Sequence, residues 1–364
     1  MNPQDNDFPE MDANAYEYAA RSIVEKNIEE FEKTVRTKLV ISLIGDANAG
    51  KSATINALTG RKLSSVSPIS GWTKEITLHQ YAEDVFIADT PGLHDTQTAE
   101  VAANAKKFVQ DDADIILFFV NAASGRTPAE AEAFKAILRL GKPIIVVLNK
   151  VDTIALEDVP GVIRDLRVRF GYHLIVGISA TQDINIKTLA REIEKILQEK
   201  GKDLLFLKIV KDKDEKVKIW ITGAAITAVG LGALPIPGSD IVPLTALQVG
   251  LCLKIAYIYN CKVTKGDVMN LISSTVTGAV GKSLFRQAIK LMGGFLATVT
   301  AGMSAVITSA VAAGIAGAMT YGLGWAANAY YKSGMTMDLG EVGDIYTQAF
   351  NSYMNEEKSR RKAE

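Results

Sequence analysis

The residues best suited to chemistry follow a run of β-branched and apolar residues, KLVISLI (38–44). They form a complete G-x-x-x-x-G-K-S pattern and its next residue: Gly45, Asp46, Ala47, Asn48, Ala49, Gly50, Lys51, Ser52 and Ala53. A loop of this kind turns its backbone N–H groups toward phosphate oxygens, and the dipole of the following helix adds positive charge. Lys51 supplies a cation to the β- and γ-phosphates, and the Ser52 hydroxyl can ligate Mg²⁺. The pattern predicts a nucleotide-phosphate site between a strand and a helix.

A second motif follows the apolar run VFIA (85–88) and consists of Asp89, Thr90, Pro91 and Gly92. A carboxylate at the carboxyl end of a strand lies where open α/β sheets bind their ligands. Asp89 is therefore expected to hold Mg²⁺ through water, and the Gly92 N–H to detect a γ-phosphate. Alone, these four residues would be an ordinary turn, but their spacing after the first motif favours the functional interpretation.

Two further motifs predict which base is bound. Asn149, Lys150 and Asp152 end the run PIIVVL (143–148), and Ser179, Ala180 and Thr181 end the run HLIVGI (173–178). Guanine offers the N1–H and N2–H₂ donors to a carboxylate such as Asp152, whereas the N1 acceptor of adenine would repel it. Backbone N–H groups of the second motif would contact the guanine O6. A site that leaves buried polar groups unpaired with the wrong base should select GTP over ATP.

Buried β-branched runs and helical patterns alternate from residue 37 to about residue 200, which predicts a mostly parallel sheet with helices on both faces. The chain then becomes apolar and glycine-rich, which predicts an all-α domain. The expected organisation, in chain order, is a disordered N-terminus (1–14), an amphipathic helix packing on the helical domain (15–36), the α/β domain (37–203), a linker (204–218), the helical domain (219–354) and a charged tail (355–364).

Composition excludes several classes of protein. The 40 Lys and Arg residues nearly balance 41 Asp and Glu, so no global positive field exists to hold nucleic acid. Only Cys252 and Cys261 occur, without a histidine cluster, which argues against a disulfide scaffold or a cysteine metal site. The acidic N-terminus contains no apolar run, so no targeting segment is expected. A cytoplasmic protein is predicted, or one at the cytoplasmic face of a membrane.

The four motifs in this order resemble the GTPase domain of the translation-factor class, most closely its Era-like branch. The resemblance implies GTP and GDP as ligands, Mg²⁺ as cofactor, and catalytic roles for Lys51, Thr73, Gly92 and Asn48. Thr73, two residues after Gly71, would close over Mg²⁺ and the γ-phosphate, unless it is an ordinary loop threonine. Asn48 is either a ligand of an activating K⁺ ion or a turn residue that tolerates an unusual backbone. Leu93 stands where Ras-like proteins have a glutamine, which implies slow hydrolysis that depends on K⁺, a partner or dimerisation.

The region 215–331 resembles a helical domain that follows Era-like domains and also occurs in YcjF-like membrane proteins. Two interpretations of its apolar helices stay open. They are either a bundle around a central helix (294–331) or helices associated with a membrane, since stretches 219–239 and 291–331 lack charge and are long enough to span one. In the second case a lysine cluster would lie at the interface, and in the first the same lysines would be a solvated linker: Lys208, Lys211, Lys213, Lys216 and Lys218.

The leading functional hypothesis is a slowly hydrolysing GTP switch whose nucleotide state is read by the helical domain. The alternative is a scaffold, similar in layout to dynamin-like and immunity-related GTPases, whose nucleotide-dependent self-assembly acts on membranes. Expected partners are membrane lipid, a second copy through the α/β or helical domain, and a protein effector that the sequence does not identify. Nucleic acid is not expected as a partner, because no basic domain follows the α/β domain.

Overall fold

The computed structural model describes residues 13–35, 37–62, 68–69, 76–89, 99–124, 127–232, 241–272, 274–275 and 304–363. These residues form two compact units. The α/β unit comprises the described part of residues 35–212, and the helical unit comprises the described parts of residues 1–34 and 213–364. The predicted fold class, an α/β domain plus an all-α domain, is confirmed.

The α/β unit contains seven strands and six helices among its described residues. The strands are β1 (Leu39–Gly45), β2 (Pro68–Ile69), β3 (Thr77–Ala82), β4 (Val85–Asp89), β5 (Ile115–Asn121), β6 (Ile144–Asn149) and β7 (Ile175–Gly177). The helices are α2 (Lys51–Thr59), α3 (Ala99–Asp112), α4 (Pro128–Leu138), α5 (Val159–Phe170), α6 (Ile186–Glu199) and α7 (Asp203–Ile209), while α1 (Ala13–Val35) belongs to the helical unit.

The strand order is β2-β3-β4-β1-β5-β6-β7. Strands β4, β1, β5, β6 and β7 pair in parallel, so their carboxyl ends share one edge of the sheet. The register places Leu43 beside Asp89, and Asn121 beside Asn149. This edge therefore collects the residues that follow each buried strand, as a parallel sheet with crossover helices requires.

Helices cover both faces because the parallel strands are apolar on both sides. On β1, Val40 and Ile44 belong to the core shared with Phe108 of α3 and Phe134 of α4. The alternate residues Leu39, Ile41 and Leu43 point to the other face by the period of a strand and are also buried. The parallel strands β1, β5, β6 and β7 are therefore buried along nearly their whole length, which explains their continuous hydrophobic runs.

One part of the sheet was not predicted. Strand β3 pairs antiparallel with β4, and β2 pairs antiparallel with β3, which adds a hairpin at the sheet edge. Glu83 and Asp84 make the turn between β3 and β4, and neither is one of the glycine or asparagine pairs that identify a tight hairpin from sequence. The sequence signal for the hairpin is therefore weak.

Helix α7 lies in the stretch for which the sequence predicted a linker (204–218). Leu205, Phe206 and Leu207 are buried, and α7 contacts β3 and β4. Lys208 is also buried, with its Nζ 3.7 Å from Asp84 Oδ2. The charged run that begins at Lys208 predicted a linker, whereas the apolar residues before it form a helix that packs against the sheet.

The helical unit contains α1 and five further helices among its described residues. These are α8 (Asp214–Gly232), α9 (Ile241–Ile258), α10 (Lys265–Ile272), α11 (Ser304–Lys332) and α12 (Leu339–Ala363). Helix α11 contacts α8, α9 and α12, which is the central position that the bundle interpretation gave to the helix 294–331. The described part of that helix begins at Ser304.

Small residues allow α11 to approach its neighbours closely. A Cβ atom added at Gly317 would lie 2.7 Å from Val229 on α8 and 2.7 Å from the hydroxyl of Tyr353 on α12. At Gly324 it would lie 2.7 Å from Ile221. Small residues at Gly317 and at the buried Ala313, four residues earlier, thus let α11 lie close against its neighbours.

Helix α1 contacts the other helices of the unit at two points. The Phe31 ring packs edge-on against Tyr257 of α9 at 5.4 Å between centroids, and Glu25 accepts a hydrogen bond from Lys265 Nζ at 2.7 Å. Within the described ranges, no helix combines the length and the apolar character that a membrane span needs.

Candidate nucleotide site

Three residues of the loop between β1 and α2 (residues 45–50) have unusual backbone conformations. Gly45 has φ 152°, Asn48 has φ 63° and Gly50 has φ 88°. Few residues with a side chain adopt φ near +60°, and asparagine is one of those that do so most readily, whereas glycine adopts it without steric cost. The left-handed backbone at position 48 is reason enough for an asparagine there, as a turn residue. The role of Asn48 as a K⁺ ligand stays a prediction.

The Lys51 side chain folds back over this loop. Its Nζ donates to the Gly45 carbonyl at 2.9 Å and to the Asp46 carbonyl at 3.3 Å. Thr54, one turn further along α2, donates from both its backbone N–H and its hydroxyl to the Gly50 carbonyl, each at 2.9 Å. The ammonium group is thereby held at the first turn of a helix, where the N-terminal dipole also attracts anions.

Asn149 connects three of the predicted motifs through one amide. Its Nδ2 donates to the Ala49 carbonyl at 2.9 Å. Its Oδ1 accepts from the backbone N–H of Lys150 at 2.8 Å and from that of Ala180 at 3.2 Å. Because Asn149 is buried, these hydrogen bonds also satisfy an amide that would be costly to leave unpaired. Asn149 therefore holds the phosphate loop and both base-side loops together.

The close approach of Asn149 explains why position 50 is glycine. A Cβ atom added there would lie 2.0 Å from Asn149 Nδ2. Gly45 is constrained in the same way, since its added Cβ would lie 2.6 Å from the Phe119 carbonyl on β5. At both positions glycine is needed for two reasons: the backbone angle, and a neighbouring group that occupies the place of a side chain.

Asp89 ends β4 with a half-buried carboxyl group. Burial raises the pKa of this group above its ordinary value, and the nearby Lys51 and His79 partly offset that rise. Its Oδ1 is buried and accepts no hydrogen bond from the described residues. Carboxylate and hydroxyl oxygens are the donors that Mg²⁺ prefers, and the exposed Ser52 supplies a hydroxyl at the start of α2. The residues present therefore fit a magnesium ion.

The base-side residues lie in the two loops that follow β6 and β7. Lys150 has φ 65°, and Asp152 lies exposed in the single helical turn after it, Val151–Thr153. The second loop is closed by backbone hydrogen bonds in both directions between Ser179 and Ile184. The Ser179 hydroxyl lies 3.3 Å from that of Thr181. These contacts fix the backbone between Ser179 and Ile184.

A small cavity beside the phosphate loop involves residues to which the sequence gave no role. It has a volume of about 90 Å³ and lies between Asp46, Ala47 and Ala49 on one side and Asn121, Ser124, Thr127 and Glu130 on the other. Thr127 and Glu130 cap the start of α4 reciprocally, each side chain bonding to the backbone N–H of the other. The T-x-x-E spacing just before an apolar run was the sequence signal for this cap.

The structure brings together the predicted residues from Gly45 to Ala53, Asp89, Asn149, Lys150, Asp152 and the loop 179–181 at the carboxyl edge of the sheet. Four predicted site residues lie outside the described residues: Thr73, Thr90, Pro91 and Gly92. Their assigned roles stay predictions.

Two protein-family models match this chain. Residues 40–150 match the model described as 50S ribosome-binding GTPase, and residues 206–354 match a domain of unknown function, DUF697. The chain carries an Era/Der-like GTPase domain followed by a DUF697 domain. The resemblance predicted from the four motifs is thereby confirmed at the level of domains.

Three curated relatives each match less than half of the chain. The chain is 32% identical to GTPase Era of Aquifex aeolicus over 44% of its own length and 56% of that protein. It is 28% identical to GTPase Era of Caldanaerobacter subterraneus over 44% and 55%, and 34% identical to GTPase Der of Brucella anthropi over 31% and 24%. The chain thus spans about half the length of the Era proteins it matches.

A crystal structure of Aquifex aeolicus Era bound to GDP and AlF₄⁻ aligns with 30% identity and a TM-score of 0.35. The alignment covers 43% of this chain and 56% of that chain.

Proposed function

We propose that the α/β unit binds GTP and GDP with Mg²⁺, hydrolyses GTP slowly, and passes its nucleotide state to the DUF697 domain. The observation that carries the proposal is the set of hydrogen bonds made by Asn149, which joins the phosphate loop to both base-side loops. Phosphoryl transfer depends mainly on positioning and on charge near the phosphates. A shared anchor between phosphate and base loops supplies the positioning, and Lys51 supplies a cation.

The coupling step rests on the segment that leads out of the α/β unit. The backbone N–H of Lys211 donates to the Leu58 carbonyl at 2.9 Å, near the end of the helix that begins at the phosphate loop. The Lys211 Nζ donates to Asp183 at 2.9 Å, in the loop that is proposed to hold the base. Both nucleotide-facing elements therefore contact the residues that directly precede α8, and a change at either has a short path into the helical unit.

The first experiment compares nucleotide binding by Lys51→Ala and a matched control, Lys135→Ala. Lys135 is an exposed lysine on α4. Titration with a fluorescent GTP analogue should show affinity lost in Lys51→Ala and unchanged in Lys135→Ala. Normal affinity in the Lys51 variant would show that the phosphates bind elsewhere.

The second experiment tests base selection at Asp152. Xanthine carries a carbonyl at C2 where guanine carries an amine, so an amide at position 152 can donate to it. Asp152→Asn should therefore lose affinity for GTP and gain affinity for XTP. A variant that kept its preference for GTP would remove Asp152 from the base site.

The predicted K⁺ dependence is tested by turnover in KCl against NaCl, with Asn48→Ala measured in parallel. A K⁺ ion bound by Asn48 would make the rate higher in KCl for the parent chain and equal in both salts for the variant. Because alanine is also strained at φ 63°, Asn48→Gly serves as the control that keeps the backbone but removes the amide. Equal parent rates in both salts would end the potassium proposal.

The second candidate function is the self-assembling scaffold, and one observation favours it. Helix α8 exposes Ile219 and Ile226, on a side that also carries the exposed Glu215 and Lys218 nearer the start of the helix. The basic cluster proposed for a membrane interface is less available than its sequence suggests. Lys208 is buried, Lys211 pairs with Asp183, and Lys213 donates to the Ile258 carbonyl. Lipid contact through the exposed isoleucines of α8 stays part of this second proposal.

A further inference from the structure

Four consecutive residues of alternating charge lie where the chain passes from the α/β unit to the helical unit: Lys211, Asp212, Lys213 and Asp214. We call them the coupling segment. The sequence predicted a linker here, with its lysines either solvated or at a membrane interface. In the structure each of the four side chains has a partner of its own. The first two residues belong to the α/β unit and the last two to the helical unit.

The first half of the coupling segment is bonded to elements of the candidate nucleotide site. Lys211 Nζ donates to Asp183 Oδ1 at 2.9 Å, in the loop that is proposed to hold the base. The backbone N–H of Lys211 donates to the Leu58 carbonyl at 2.9 Å, near the end of α2. Asp212 forms an ion pair with Lys187, in the first turn of α6. The positions of Lys211 and Asp212 therefore depend on the base loop and on the helix that follows the phosphate loop.

The second half of the coupling segment is bonded to helix ends of the helical unit. Lys213 Nζ donates to the carbonyl of Ile258, the last residue of α9. Both carboxylate oxygens of Asp214, the first residue of α8, accept from Nζ of Lys332, the last residue of α11, at 2.9 Å each. Each charge suits its position, because a helix N-terminus favours an anion and a helix C-terminus favours a cation. These contacts hold the start of α8 beside the ends of α9 and α11.

Tyr259 adds further contacts to the same cluster. Lys213 Nζ lies over its ring, 5.4 Å from the centroid. Its hydroxyl lies 3.0 Å from Asn328 Oδ1 on α11 and 3.4 Å from Asp214 Oδ1. Burial and the Asp214 carboxylate raise the pKa of this hydroxyl, so it keeps its proton and remains a donor to both oxygens. A displacement of Asp214 would therefore disturb contacts on α11 and on the residues after α9 together.

We propose that the coupling segment transmits the nucleotide state of the α/β unit to these three helix ends. This rests on the proposed function, because the base loop must hold a nucleotide. A bound nucleotide fixes the base loop, which keeps Lys211 and Asp212 in place and lets Asp214 keep its partners. When the nucleotide leaves, the base loop loosens and the contacts of Asp214 weaken. Exposed ion pairs such as that of Lys332, which is 54% exposed, contribute little to stability, so a change of this size can break them.

Coupling between two sites is reciprocal in their binding free energies. A change confined to the contacts of Asp214 should therefore alter nucleotide affinity, although Lys332 lies on a helix of the other unit. Loss of the ion pair leaves the coupling segment less well fixed, and the base loop is then less pre-organised for its ligand. Nucleotide affinity should fall.

The test measures GDP affinity of the full chain with a fluorescent analogue. Lys332→Met removes the cationic partner of Asp214 and should lower GDP affinity about two- to fivefold, the range expected for an exposed ion pair. Lys332→Arg keeps a cation there and should restore the affinity of the parent chain. Lys265→Met is the matched control, because Lys265 also forms an exposed ion pair of the helical unit, with Glu25 at 2.7 Å, and its loss should leave GDP affinity unchanged.

Equal GDP affinity in Lys332→Met and Lys265→Met would overturn the coupling proposal and leave the proposed function standing. A parent chain that does not bind GDP would overturn the proposed function itself, and the coupling with it. Circular dichroism of each variant checks that the comparison is made between folded proteins.

Hydrogen exchange of the parent chain tests the opposite direction and needs no variant. The backbone N–H of Val217 donates to the Lys213 carbonyl at 2.9 Å, which closes the first turn of α8. GDP should slow exchange in residues 217–220. The corresponding turn of α12, where the Val342 N–H donates to the Asp338 carbonyl at 3.0 Å, should not respond. Equal exchange in the α8 turn with and without bound GDP would overturn the proposal.

Discussion

Glycine has different structural roles in the two units of this molecule. In the loop between β1 and α2, Gly45 and Gly50 adopt backbone angles that other residues avoid. In α11, Gly317 and Gly324 lie within a regular helix, and only the missing Cβ matters, because neighbouring side chains occupy its place. The first pair shapes a backbone for a ligand and the second fits helices together. Substitutions should therefore affect binding in one unit and stability in the other.

Gly50→Ala should give the largest effect. The substitution introduces a Cβ at φ 88° and within 2.0 Å of Asn149 Nδ2, so the loop or the amide must move. Strain of this kind costs about 1–3 kcal/mol, and about 1.4 kcal/mol is a factor of ten. We expect GDP affinity to fall about 10- to 100-fold, measured with a fluorescent analogue.

Gly171→Ala is the control for backbone strain alone. Gly171 has φ 60° at the end of α5, but nothing lies within 4 Å of an added Cβ. This variant should lose about 1 kcal/mol of stability and keep its affinity for GDP. If both variants lost affinity equally, the contact with Asn149 would not be the cause.

Gly324→Ala should destabilise the helical unit without changing nucleotide affinity. Its Cβ would lie 2.7 Å from Ile221, and overpacking of this kind costs about 1–3 kcal/mol. Urea unfolding followed by circular dichroism measures the change. Gly250→Ala in α9 is the control, because nothing lies within 4 Å there and the change should be neutral or stabilising. Equal loss in both would remove close packing as the explanation.

Asp89→Asn should have a smaller effect and, in the absence of ligand, should stabilise the folded protein. Burial raises the pKa of Asp89 in the folded state, so the folded protein binds this proton more tightly than the unfolded chain. The cost of ionisation therefore appears as pH rises past the unfolded pKa and through the raised folded pKa, and is complete at neutral pH.

The variant should thus melt a few degrees higher than the parent chain at neutral pH, and the difference should vanish at acidic pH. It should also show weaker Mg²⁺ dependence of nucleotide binding. A lower melting temperature at neutral pH would mean that Asp89 stabilises the free protein, contrary to its burial.

Gly230→Ala should give the smallest effect on folding and extends the comparison to a third kind of glycine. The residue is exposed in a helix and its Cβ would meet nothing within 4 Å. Alanine should stabilise the helical unit by up to about 1 kcal/mol. Urea unfolding followed by circular dichroism measures the change, and a loss of stability would contradict the open surroundings of this glycine.

The sequence predicted the elements whose signals are local. Buried strands such as β1 and β6 are continuous apolar runs, and the motif residues stand where those runs end. Strand β3 was missed because its turn has no characteristic residue. Helix α7 was missed because the charged run from Lys208 to Lys218 placed it in a predicted linker. The contact between Asn149 and Ala49 joins residues 100 positions apart, so no spacing rule could reveal it. What escaped prediction is long-range contact between side chain and backbone.

The amide of Asn149 also bears on how fast nucleotide leaves. Its four partners, Ala49, Gly50, Lys150 and Ala180, belong to the loops that are proposed to hold the phosphates and the base, so none of these loops can shift without losing a hydrogen bond to the same side chain. Movement of the loop that is proposed to hold the phosphates should therefore weaken the contacts of the loops that are proposed to hold the base, and the reverse. Nucleotide exchange should follow a single rate-limiting opening, and a protein that promotes exchange needs to pull on only one loop.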